Sequence, residues 1–212
     1  AVLELLTLAQ WLSPAYPVGA FAYSHGLETA IRDGWVSDAA SLEAWLTDVL
    51  EEGSGRVDLI LLAAAHLATP DEIAELDAIA RAFSASAERL RDSQRQGAAF
   101  AATTRAVWGL DLPDLVYPVA VGRAAALAGL PLTETAALYL QAFASNLVSA
   151  AVRLVPLGQT EGQTVLARLS ETCTYLAAAS ADQTPDDLWS NAFASDIAAM
   201  NHETMEPRLF QS

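Results

Sequence analysis

The chain reads as an all-α protein: a single-domain helical bundle of about eight to ten helices, given mean helix lengths near 11 or 12 residues. Three observations predict this. Ala and Leu lead a composition that is 53% hydrophobic, while Val and Ile are few. Ala and Leu lose little side-chain freedom in a helix, and β-branched residues lose more. Helix start and stop signals recur along all 212 residues. No stretch alternates polar and apolar for long enough to read as a strand.

The opening AVLELLTLAQWL carries Glu4 and no basic start, so it is not expected to act as a secretory leader. SPAYPVGAFAYSHGLETA, residues 13–30, concentrates prolines, glycines and aromatics and reads as a shaped loop rather than a helix. AASLEAWLTDVLEE follows, capped by Asp38 or Ser37, with Leu42, Trp45, Leu46 and Val49 on one face. Gly53 and Gly55 break the chain. His66 lies near the end of the next helix, where a cation meets the negative end of the dipole, and reads as structural.

Thr69-Pro70-Asp71-Glu72 is a helix start, with Thr69 as cap, Pro70 at the first helical position and Glu72 closing a capping box. Asp71, Glu72, Glu75 and Asp77 read as a solvated first turn. Residues 86–108 carry a charged face over Leu90, Phe100 and many alanines. The longest clear helix begins at Leu132. Its stripe Leu140, Phe143, Leu147, Ala151, Leu154 follows helical spacing, and Pro156 ends it. QTEGQTVLARLSETCTYLAAAS starts another helix, with Cys173 a buried core residue. Thr184-Pro185-Asp186-Asp187 repeats the earlier start signal, and NAFASDIAAMNHETME forms a last helix stopped by Pro207. The tryptophans at 11, 35, 45, 108 and 189 supply bulk to an Ala-rich core.

Composition narrows the function. The net charge is -15, with no Lys at all, so phosphate backbones are repelled and nucleic-acid binding is not expected. One cysteine allows no internal disulfide and no thiolate cluster, and suits a reducing compartment. The apolar run LILLAAA, residues 59–65, is too short for a membrane span. There is no GxSxG elbow and no Lys to complete a phosphate loop. His25 and Glu28 stand one helical turn apart, but a second His or further Glu-x-x-His pairs are missing. His202 and Glu203 are adjacent and point apart on a helix. No catalytic residue, cofactor or metal is therefore expected; His25, Glu28 and His202 remain candidates for transient metal contact only. A loop of Pro, Gly and aromatic residues instead suits a preorganised interface.

Four segments together resemble the UreF family of urease accessory proteins. They are LSPAYPVGAFAYSHGLETAIRDGWV (12–36), YPVAVGRAAALAG (117–129), LQAFASNLVSAAVRLVPLGQTEGQ (140–163) and MNHETMEPRLFQS (200–212). The resemblance implies an all-helical, non-enzymatic cytoplasmic protein, a homodimer that binds UreD (also called UreH) and recruits the GTPase UreG. That assembly acts as a chaperone of metalloenzyme maturation, delivering nickel to the urease apoprotein and helping form its carbamylated lysine. The family's loop and terminal tail imply partner-binding roles for Gly19, Phe21, Tyr23, Ser24, His25, Gly26, Glu28, Met200, His202, Glu203, Arg208 and Leu209. Residues 1–212 then form one UreF-like domain, with 201–212 a tail ordered on partner binding.

In that tail Arg208 is expected to pair with a carboxylate or carbonyl, and Leu209 and Phe210 to add apolar anchors. Residues 84–108 match the family only loosely and carry no assigned contact. Gln141, Asn146, Arg153 and Gln159 to Gln163 are expected to make hydrogen bonds in the core, with an interface or an ion path as the alternative. A rival reading is a helical metal-dependent enzyme using His25 and Glu28, with His202 as an additional candidate. A third is nickel passing transiently along a path lined by the complex.

Overall fold

The computed structural model describes residues 2–212. Among these are ten α-helices and no strand. They are α1 (Val2–Trp11), α2 (Leu27–Arg32), α3 (Ala39–Glu51), α4 (Ser54–Leu67), α5 (Ile73–Ala82), α6 (Ala87–Trp108), α7 (Tyr117–Leu127), α8 (Leu132–Leu154), α9 (Gln159–Ser180) and α10 (Phe193–His202). Short 3-10 turns sit at Ala20–Ala22, Pro70–Glu72 and Pro185–Asp187. All-α architecture follows, as the composition predicts.

Local signals place most of the boundaries. Asp38 caps α3, its carboxylate accepting from Ser41 N at 2.8 Å. Ser86 caps α6 through Arg89 N, and left-handed Gly109 ends it. Three expectations need correction. The break at 53–55 is confined to Gly53, because Gly55 packs inside α4 against Leu50. The start signal at 184 yields only a 3-10 turn, since Leu188 already has extended backbone. The last helix ends at His202, well before Pro207, because the chain must turn there to bring its end back to α2 and α6.

α8 packs along α9, and α4 along α7, with α3 laid against α9 and α6 against α7. The core gathers Leu8, Trp11, Leu46, Leu62, Phe100, Leu140 and Leu147, all at most 1% exposed. Trp11 meets Phe100 and Trp108 edge to face at centroid distances of 5.4 Å. The stripe expected on α8 faces inward: Leu140, Leu147 and Ala151 are buried, with Phe143 and Leu154 half-buried. By length and composition this helix could cross a membrane, but 56% of its most apolar window is buried within the fold.

Cys173 is buried, and burial pushes its thiol up to about 11. Trp35 and Trp189 are not core residues, at 45% and 37% exposed, and Trp189 carries the Arg56 guanidinium 4.4 Å above its ring. Asp77 also departs from expectation. It is buried, takes Val116 N at 2.7 Å and pairs with Arg81 at 2.6 Å, so it joins α5 to the start of α7. His66 is structural as read, donating from Nε2 to the Leu130 carbonyl at 2.9 Å.

The α4–α7 crossing depends on Gly122. A Cβ there would overlap the Leu62 carbonyl oxygen, a backbone atom that cannot move without displacing α4. Ala at an open helix position gains about 0.5–1 kcal/mol over Gly. At this crossing G122A should instead lower stability by about 1–3 kcal/mol, the usual cost of overpacking. Urea denaturation of the purified chain checks the sign.

Candidate functional site

Two left-handed residues open the site. His25 (φ 54) and Gly26 (φ 80) turn the loop sharply into α2. Gly26 also lets α2 meet α10: a Cβ there would stand 2.6 Å from Ala199 N. This approach brings Glu28 on α2 towards His202 at the end of α10, while α6 brings Glu88 to the other side of the same ring.

The result is a buried charge latch. His202 is fully buried, and Glu28 and Glu88 are 7% and 3% exposed. His202 Nδ1 lies 2.8 Å from Glu88 Oε2, and Nε2 lies 3.1 Å from Glu28 Oε2. Both ring nitrogens thus face carboxylate oxygens, a geometry satisfied by a ring bearing N–H on each nitrogen. Arg208 donates to Glu88 Oε1 at 2.6 Å. With the His202 ring and Arg208 both carboxylates are hydrogen-bonded, the condition for keeping such groups out of water. Glu28 has further work. Its two oxygens accept from Leu209 N at 2.7 Å and Phe210 N at 3.0 Å.

The tail is seated by more than the latch. Ser24 N and Oγ both donate to the Ser212 carbonyl, at 2.7 and 2.5 Å, and Gln211 N donates to the Ala22 carbonyl at 2.8 Å. Glu203 accepts from Ala87 N at 2.8 Å and so adds a second cap to the start of α6. Phe210 is buried beneath Arg153, whose guanidinium stands 4.5 Å from the ring centroid and donates to the Phe21 carbonyl at 3.1 Å. Arg153 is therefore exposed and clamps loop to tail, and Gln159 and Gln163 are exposed too, contrary to the expected core role. The reason is register: these positions lie outside the α8–α9 seam formed by Leu147, Ala151 and Val165.

The candidate residues from the sequence thus divide. Ser24, Gly26, Glu28, His202, Glu203 and Arg208 come together at the latch. Tyr23 is buried and Gly19 is a left-handed turn residue. Phe21, Met200 and Leu209 face outward at 69%, 51% and 79% exposure. His25 does not join Glu28: its ring packs on Phe143 at 5.0 Å, and its buried Nδ1 has no protein partner. No group of three or more His, Cys, Asp or Glu among the described residues is placed to hold a metal ion. Glu88, Arg153 and Arg95, which donates to Gln211 at 3.2 Å, were missed as site residues. Glu88 reads in sequence as an ordinary acidic first turn, and nothing local distinguishes it.

His25 borders a small polar chamber with Asp58, Arg89, Ser93 and Asp196, about 100 Å³ in its larger lobe. That volume holds roughly three waters at about 30 Å³ each. Asp58 accepts from the Tyr139 hydroxyl at 2.8 Å, yet burial pushes its carboxyl up to about 7. Burial lowers Arg89, with Asp92, Tyr139 and Asp196 acting against it.

Fold and site define an all-helical protein whose most developed polar centre grips its own C-terminal segment. The UreF family model matches residues 36–170. Over 207 residues the chain is 56% identical to the urease accessory protein UreF of Roseobacter denitrificans, covering 98% of this chain and 93% of that protein. It is 57% identical over 209 residues to the UreF of Cereibacter sphaeroides, with 98% of each covered. It is 51% identical over 210 residues to that of Ruegeria pomeroyi, with 99% and 97% covered. The chain belongs to the UreF family of urease accessory proteins.

H202A removes one partner from each of two buried carboxylates, leaving Glu88 only Arg208 and Glu28 only the tail amides, so it should lower stability by about 3–5 kcal/mol. Hydrogen exchange should show residues 205–212 losing protection first. R208A should cost less, because the arginine side chain is 41% exposed. Asp58 gives a pH prediction. Its folded-state value lies above the ordinary 3.8, so its stabilising contribution is full below that pH and is lost as pH rises through about 7. D58N should flatten the stability curve across that window, read from urea midpoints at several pH values.

Proposed function

We propose that the chain is a non-catalytic adaptor in urease activation, which with UreD (UreH) recruits the GTPase UreG so that nickel reaches the urease apoprotein. The observation that carries this reading is an apolar stripe mounted on the latch. Phe193, Ile197 and Met200 lie at helical spacing on α10 and are 67%, 50% and 51% exposed. Leu209, 79% exposed, projects from the tail that the same latch holds. Exposed apolar residues fixed on a rigid support are what a partner surface requires. His202, Glu203 and Arg208 serve by positioning that surface, and the Phe21 loop is fixed to it through Arg153.

The reading gives hydrolysis and metal chemistry to the partners. Glu28 is committed to His202 and to two tail amides, which weighs against the rival enzyme built on His25 and Glu28. The family reading also carries a homodimer, to be measured by light scattering, and a further gain in protection of the seated residues 201–212 on partner binding, to be measured by hydrogen exchange with and without UreD.

M200E/L209E should keep the fold, because both side chains face solvent. It should reduce co-purification of UreG with the UreD complex by at least about tenfold, the effect of losing a hot-spot pair. Unchanged capture by a folded double variant would remove the stripe from the reading.

A further inference from the structure

Two segments share the pattern Thr-Pro-Asp followed by an acidic residue, at 69–72 and 184–187. Both close capping boxes: Glu72 accepts from Thr69 N, and Asp187 from Thr184 N, each at 2.8 Å. Though far apart in the chain, the two turns border the same groove of about 430 Å³. The end of α4 and the inner face of α5 line it with Leu67, Leu76 and Ile79, and Leu67 is 66% exposed. Glu72, Glu75 and Asp186 stand at its edge, and none has a cation within ion-pair distance among the described residues. The nearby arginines are engaged by other groups: Arg81 holds Asp77, Arg56 lies over Trp189 and donates to the Asp187 carbonyl, and Arg123 donates to the Ala68 carbonyl at 3.2 Å.

We propose that this groove docks a short segment of a basic partner protein, an apolar side chain flanked by Lys or Arg. An apolar floor inside an unneutralised acidic edge complements that chemistry. A second copy of this chain is a poor match, since it has no Lys and a net charge of -15. The groove shares no residue with the latch, so the proposal stands apart from the tail reading.

The test uses the full chain and a short fluorescein-labelled peptide alternating Lys and Leu, followed by fluorescence anisotropy. A matched peptide with Glu in place of Lys is the first control. The Lys peptide should bind and the Glu peptide should not. E75R/D186R and L67E should each weaken binding by about tenfold or more. D111R/E171R makes the same change in net charge at exposed positions outside the groove and should leave binding nearly unchanged. Hydrogen exchange should show protection at residues 64–79 and 183–187. Equal weakening in both charge-reversed variants would reduce the effect to general attraction and overturn the proposal. Absence of binding, protection elsewhere, or a dimer that L67E dissolves would overturn it too.

Discussion

One imidazole organises the end of this molecule where α2, α6, α10 and the tail meet. His202 sits between Glu28 and Glu88, and each carboxylate comes from a different helix. Removing the ring from water is unfavourable, and so is removing either carboxylate. Together with Arg208 and the amides of Leu209 and Phe210, the group satisfies itself. The latch therefore exists only when α2, α6, α10 and the tail are all in place. Loop, helix end and terminus become one mechanical unit, and the outward residues Phe21, Met200 and Leu209 are fixed relative to one another.

The rest of the fold makes that convergence possible through close approach. Small residues at the crossings bring helix backbones near one another, as Gly122 does against α4 and Gly26 against α10. Bulk is supplied in a few places, chiefly by the Trp11, Phe100 and Trp108 group. A core built this way has little tolerance for added volume at its seams. It also explains how charged groups can be packed so deeply: the helix ends are close enough for every carboxylate oxygen of Glu28 and Glu88 to find a donor.

Much of the helical plan was legible, because helix grammar is local. Capping residues, stop signals and the α8 stripe each act within a few positions of themselves. The site was only partly legible. The tail and the Ser24–Glu28 loop stood out through unusual residue types and a family resemblance. Glu88 and Arg153 did not, since an acidic first turn and an arginine late in a helix are commonplace. Their roles come from partners more than a hundred residues away, as with Glu88 and Arg208. Asp77 was misread too, through a contact only 39 residues away: its acidic neighbours suggested solvent, while the Val116 amide at the start of α7 made it a buried acceptor.

By itself, then, the sequence determined helical content, most helix limits, the absence of phosphate-loop and triad patterns, and the segments that identify the family. These rest on short-range backbone preferences and on residue identity. Only the tertiary structure decided which charges are buried, that His25 and Glu28 face different surroundings, and that the C-terminal segment returns to the loop before α2 through Ser24 and Ser212. Those outcomes depend on which helix faces meet, and a hydrogen bond between distant residues leaves no periodic trace in the chain that forms it.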